Sequence, residues 1–116
     1  MTRDQLRAIC HSLPGTTEDI KWGDDLMFSV GGKIYCGTSA SGPEPIGLSM
    51  KTTPATFDLM TGQEGVTPAA YSARFHWITV APDALADSAV EDLVRQAHEI
   101  VLSKLSKKKQ REIRGE

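Results

Sequence analysis

Six cations, Lys104, Lys107, Lys108, Lys109, Arg111 and Arg114, fall within eleven residues near the end of the chain. Ammonium and guanidinium groups at this density suit phosphate. Each phosphate they neutralise releases counterions, so affinity would fall with salt at a logarithmic slope of ~0.9 per contact. Earlier in the chain, Lys33, Lys51 and Arg74 stand at strand ends or turns, in the company of Trp22, His76 and Trp77. Cations beside aromatic rings can hold an anion or a phosphate backbone. The two tryptophans read first as packing at the edge of the core, and the same rings can instead wall a small pocket. Whether these scattered residues meet depends on a strand order that the sequence leaves open.

Other chemistries find little support. There is no G-x-S-x-G, and no Ser or Cys sits in a recognised activated setting. Cys10 and His11 are neighbours on a helical stretch, so their side chains diverge by about 100°. The glycines of "GKIYCGTSASG" fit neither G-x-G-x-x-G nor the P-loop pattern and read as turn glycines. Glu18, Asp19, Asp24 and Asp25 could attract a hard cation, but no D-x-D-x-D-G spacing or paired histidine accompanies them, so they read as a solvated acidic loop. His98 reads as a flank residue of an apolar stripe. Cys10 and Cys36 lack zinc spacing and read as buried thiols. No catalytic constellation emerges, and neither an enzyme nor a cofactor is expected.

Charge is divided along the chain. Residues 103–116 hold six Lys/Arg and two Glu, a net +4, and the preceding residues hold seven Lys/Arg and thirteen Asp/Glu, a net −6. The body is therefore acidic and the tail basic. A tail of this kind can also be a solvated helix C-terminus whose charge complements the macrodipole. The opening residues "MTRDQLRAICHSLPG" contain no apolar core of a signal peptide, and no apolar run approaches the length of a membrane span. A cytoplasmic setting with reduced thiols is the expectation. The 116 residues match one ordinary domain, here 1–116 with a basic tail, 106–116, that frays past Lys107.

The elements that must position these side chains follow from periodicity. "TRDQLRAICHSL" is a helix capped by Thr2 with Gln5 in the capping box, stopped by Pro14-Gly15. "TTEDIKWGDD" reads as a connection. Leu26–Val30 and Lys33–Thr38 form a hairpin around Gly31-Gly32, with Val30 facing Lys33 and Phe28 facing Tyr35. Its buried face is either Leu26, Phe28 and Val30 or Met27, Ile34 and Cys36. "IGLSMK" is a third strand, with Ile46, Leu48 and Met50 on one face. Thr53 caps a short helix with Pro54 at its first position and Gly62 at its end. "GVTPAAYSAR" reads as an irregular or briefly helical link. "FHWITVA" is a fourth strand, with His76 opposite Trp77. Ser88 and Glu91 make a capping box for a helix from about Ala89 to at least Leu105, striped by Val90, Leu93, Val94, Ala97, Ile100, Val101 and Leu105. The order α-β-β-β-α-β-α predicts an α+β fold, an antiparallel sheet with the first and last helices on one face.

The segments "LPGTTEDIKWGDDLMFSVGGKIYC", "IGLSMKTTP", "GVTPAAYSARFHWITV" and "AVEDLVRQAHEIVLSKLSKK" together resemble the MmcQ/YjbR family. Their order carries Pro14-Gly15, Trp22-Gly23, Phe28 before Gly32-Lys33, Leu48 with Lys51, Pro68 with Tyr71, and Trp77. The resemblance implies a fold similar to the CyaY/frataxin type and a "double wing" manner of DNA binding by hairpin-like elements. It adds no residue-level site. The first helix carries Asp4 as its acid, so the acidic iron-binding ridge of frataxins is not expected on it.

Two functional expectations follow. The first is a monomeric, non-enzymatic domain holding double-stranded DNA by its phosphates, through Lys33, Lys51 and Arg74 from the sheet and turns and Lys104, Lys107, Lys108, Lys109 and Arg111 from the tail. The second is a small-ligand or protein-interaction module, with a pocket between the sheet and loops lined by Trp22, Lys33, Lys51, His76 and Trp77.

Overall fold

The computed structural model describes residues 1–115. Helix α1 (Arg3–His11) leads into three strands, β1 (Thr16–Lys21), β2 (Asp25–Val30) and β3 (Lys33–Ser39). Strand β4 (Leu48–Lys51), helix α2 (Pro54–Met60) and strand β5 (Val66–Pro68) follow. A 3-10 turn (Ala73–Phe75), strand β6 (Trp77–Val80) and helices α3 (Asp87–Ser103) and α4 (Lys107–Arg114) complete the chain. The strands form one antiparallel sheet in the order β1-β2-β3-β4-β6-β5. Helices α1 and α3 pack on one face, so the α+β architecture is as expected. Leu6 and Cys10 from α1 meet Leu26, Phe28, Val30, Met50 and Ile78 from the sheet. Val94, Ala97, Val101 and Leu102 of α3 close the core over them. Burial of this apolar surface is the main stabilising term.

Local chemistry explains the helix starts. Thr2 accepts from the Gln5 amide while the Gln5 side chain accepts from the Thr2 amide, completing the capping box. Thr53 caps α2, and Pro54 stands in its first turn. Helix α3 departs from expectation. It begins at Asp87, two residues before the expected start, and its N-cap Ala86 makes no side-chain bond. Ser88 therefore does not cap it, and Glu91 pairs with Arg95 at 2.9 Å.

Two strands lie where links were expected, and both are sheet edges. Strand β1 has no apolar alternation because its helix-facing side is held by charge: Glu18 accepts from Arg7 Nε at 3.2 Å and meets His11 Nε2 at 2.7 Å. That bond to His11, with Arg7 beside it, holds the Glu18 carboxyl below its usual range. Strand β5 is three residues long and ends in Pro68, which an edge tolerates. Charge and proline on edges also discourage pairing with another chain.

In the hairpin, Gly31 and Gly32 take φ of +59° and +80°, as a type I′ turn demands. Val30 pairs with Lys33 as expected, but Phe28 pairs with Cys36 because a bulge shifts the register between Phe28 and Ser29. The bulge places both Tyr35 and Cys36 in the core. The buried face is thus Leu26, Phe28 and Val30, with Cys36 joining it, and Met27 and Ile34 face the other way. His98 is buried rather than flanking. Its Nε2–H donates to Pro14 O at 2.7 Å, and its ring meets the Tyr35 ring edge-on at 5.3 Å.

The tail is helical as far as Arg114, not frayed past Lys107. Ser106 Oγ caps α4 by accepting from the Lys109 amide, and Gly115 ends it in the left-handed conformation. Ile113 does have apolar companions: it packs on the core beside Gly15 and Val30. Glu116 lies outside the described residues.

The turn glycines are not equivalent. A Cβ on Gly31 would come within 2.4 Å of Leu105 Cδ1, and one on Gly32 would meet nothing within 4 Å. Gly31→Ala should lose ~1–3 kcal/mol of stability, from the left-handed backbone and the displaced Leu105. Gly32→Asn should stay within about 0.5 kcal/mol of the parent. Urea unfolding of the two variants measures the difference, and equal stabilities would contradict this packing.

Candidate nucleic-acid interface

Antiparallel pairing of β3 and β4 puts Lys33, the first residue of β3, and Lys51, the last of β4, at the same end of the sheet. Lys104, the C-cap of α3, arrives there too. Burial and the Lys104 charge, in that order, lower the Lys51 pKa. Leu105 then seats on Gly31 and carries the chain into α4. Lys51 Nζ donates to Phe75 O, and the Arg74 guanidinium carbon sits 4.7 Å above the Phe75 ring centroid. Phe75 thus joins two of the expected cations, one on its carbonyl and one on its ring.

The basic cluster occupies a different part of a helix from the one expected. Because α3 stops at Ser103, Lys107, Lys108 and Lys109 are the first three residues of a new helix. They stand at the positive end of its macrodipole, with no acid in that turn. Such a placement costs about 0.3–1 kcal/mol per charge, the opposite of a complement to the dipole. An anion at this helix start would relieve the repulsion and find amide N–H groups aimed at it.

Cation pairing divides the molecule. Arg3, Arg7, Arg95 and Arg114 each meet a carboxylate, at Glu44, Glu18, Glu91 and Glu99. Among the described residues, Lys33, Lys51, Arg74, Lys104, Lys107, Lys108, Lys109 and Arg111 form no ion pair.

The sheet face away from the helices is open. Across all six strands, one row runs Asp19, Met27, Gly37, Ser49, Thr79 and Thr67. Met27 lies over Gly37, where a Cβ would sit 2.2 Å from its sulfur, so a larger residue there would have to displace the Met27 side chain. Ser49 and Thr79 hydroxyls are bonded at 2.9 Å. A concavity of about 540 Å³ lies on this face, lined by Trp22, Met27, Ile34, Ser49, Trp77 and Thr79, with Ala69, Ala70 and Ser72 on one side. Its size is that of a small-molecule site.

Trp22 and Trp77 therefore share one cavity. His76 does not join them, because it precedes β6 in the left-handed conformation at φ +64° and turns its ring to Phe57, 5.6 Å away. Lys33 and Lys51 border the face without lining the cavity. Sequence reasoning missed Ser49, Thr79 and Tyr71. The first two are the polar members of the strands' alternation, a signal that the sequence does carry. Tyr71 lay in a stretch read as a link and is fully exposed.

Among the described residues, no group of three or more His, Cys, Asp or Glu could hold a metal ion. Of the four carboxylates read as an acidic loop, Asp24 accepts from Ser39 and Ser41, and Glu18 is held by Arg7 and His11. No helix is long and apolar enough to cross a membrane, among the described residues.

Comparison with known proteins places the chain among relatives of its own size. The model of the YjbR family matches residues 11–100. The crystal structure of the Deinococcus radiodurans protein DR2400, a DUF419 domain, is similar at 26% identity and a TM-score of 0.86, over 95% of this chain and 86% of that one. A Pseudomonas syringae protein is similar in fold, at 19% identity and a TM-score of 0.71, over 87% of this chain and 99% of that one. No curated protein matches.

The proximity of the two ammonium groups is open to test. Lys104→Gln should raise the Lys51 pKa, because removing a neighbouring positive charge favours the protonated form. The rise should be partial, since burial remains. An NMR titration of the Lys51 side chain measures it, and an unchanged pKa would contradict the proximity.

Proposed function

The chain belongs to the YjbR family, and from that premise we propose that it is a non-enzymatic, monomeric DNA-binding domain that grips phosphates at the basic end of its sheet. The observation that carries this reading is the set of unpaired cations at that end. Three of them crowd the positive end of α4, where no carboxylate among the described residues neutralises them. A polyanion supplies what that arrangement lacks. Lys33 at the hairpin tip, Lys51, Arg74 and Lys104 extend the contact along the sheet end. Amide N–H groups and lysines fix a duplex in register without reading bases. In the acidic body, Glu44, Glu18 and Glu91 are paired with Arg3, Arg7 and Arg95, and Arg74 remains without a carboxylate partner among the described residues. A cytoplasmic setting belongs to the same reading, supported by two buried free thiols.

The cavity between Trp22 and Trp77 favours a second reading, a small-ligand module. Competition by a free small molecule, without salt-steep binding of duplex, would select it.

The DNA reading is tested by anisotropy with a labelled duplex. Affinity should fall steeply between about 50 and 200 mM salt. Replacing Lys107, Lys108 and Lys109 together by Gln should flatten the logarithmic slope by ~0.9 for each phosphate that is no longer neutralised. The same variant should fold at least as stably as the parent, because it relieves charge at the helix start. No binding at the lower salt, or a slope unchanged by the substitution, would overturn the proposal.

A further inference from the structure

We infer that the open face of the sheet takes the unpaired bases of a single nucleic-acid strand, stacked on Trp22 and Trp77 while the cations at the sheet end hold its phosphates. The inference rests on the phosphate-binding reading above, whose cations hold the backbone of a duplex, and adds a second form, an unpaired strand, that those cations and the open face hold together.

Aromatic exposure carries it. Trp22 is 73% exposed and Tyr71 fully exposed, so neither ring is placed by burial. Both stand in the left-handed backbone region, Trp22 at φ +49° and Tyr71 at φ +65°. That region is disfavoured for bulky side chains, and such outliers gather at ligand sites. Among the described residues, three of the four non-glycine positions with positive φ, Trp22, Tyr71 and His76, carry rings. The hydrophobic effect would bury these rings, yet the backbone turns two of them outward beside the cavity.

The floor between the tryptophans suits flat, partly polar rings. Met27 offers a polarizable sulfur and the Ser49–Thr79 pair offers hydroxyls, over a bare Gly37. Trp22 precedes β2 and Trp77 opens β6, three strand spacings or about 14 Å apart across the sheet and at opposite ends of it along the strands, so a strand would cross the face diagonally. That span accommodates a few successive bases. Asp25 on the cavity wall can accept from a base N–H, such as thymine N3–H, and repels phosphate. The strand's backbone is therefore favoured at the other end, where Lys51 pairs in register with Trp77 and Arg74 follows the wall of Ala69, Ala70 and Ser72. Bases in a duplex are stacked on one another and cannot reach a ring inside a concave sheet. Unpaired bases present a face to any aromatic platform, with phosphates tracked by adjacent cations.

The test measures binding of a short oligothymidylate, an abasic strand of equal length, the corresponding duplex and thymidine monophosphate, all at one low salt. The base-bearing strand should bind roughly 5- to 100-fold more tightly than the abasic strand, the range that stacking of a base supplies. Trp22→Asn, which keeps a residue tolerant of the left-handed backbone, should remove most of that difference, and Trp22→Phe should restore most of it. Equal affinity for base-bearing and abasic strands would overturn the stacking and leave the phosphate reading standing. Effective competition by thymidine monophosphate alone would also overturn it, in favour of a small-ligand pocket. Failure of every strand to bind would overturn both readings together.

Discussion

Two missing Cβ atoms decide where the basic end of the chain lies. At Gly31 and Gly15 a side chain would collide with Leu105 and Ile113. With hydrogen in that place, the two apolar side chains seat on the hairpin turn and on the loop after α1. Each half-buried side chain contributes roughly 1 kcal/mol. Together they lay α4 against the end of the sheet, and Arg114 adds an ion pair to Glu99 at 2.8 Å. Without these contacts the lysines of α4 would be a loose tail. With them, the lysines become a fixed neighbour of Lys33, Lys51 and Lys104.

The bulge in the β2–β3 hairpin does the complementary work on the sheet. By turning Tyr35 and Cys36 to the same side, it fills the core beneath α1 and α3. The other face keeps Met27, Ile34 and a bare Gly37. The buried polar groups on the helix side are satisfied: Tyr35 O–H meets Thr16 Oγ1 at 2.8 Å, and His98 donates to Pro14 O. Cys36, pushed up by its hydrogen bond to Cys10 and by burial, stays a neutral thiol in that core. One face of the sheet thus builds the core, and the other leaves Trp22 exposed.

Elements with local signals were legible in the sequence. The capping box at Thr2 and Gln5, the Gly31-Gly32 turn, Pro54 after Thr53 and the stripe of α3 all report on neighbours a few residues away. The two edge strands were not. On β1 an Arg7–Glu18–His11 cluster replaces the expected apolar alternation, and β5 is too short to show a period. Ile113 looked companionless because its partners, Gly15 and Val30, lie far away in sequence. The Ser88–Glu91 pattern misled, because α3 starts earlier and Glu91 serves Arg95. At the site, residue types were readable but convergence was not. Trp22 and Trp77 meet one cavity only because β4 lies between β3 and β6. His76 is excluded by a backbone conformation that its sequence neighbours do not announce.

The central claim is that phosphates meet the start of α4 and the adjoining sheet end. An amide NMR titration with a short oligonucleotide tests it most directly, because it reports position rather than affinity alone. The expected result is a contiguous set of shifts at the amides of Lys107–Lys109, Gly31, Gly32, Lys33 and Lys51, weakening as salt is raised. Shifts confined to α1 or to the N-terminal half of α3, with the start of α4 silent, would contradict it.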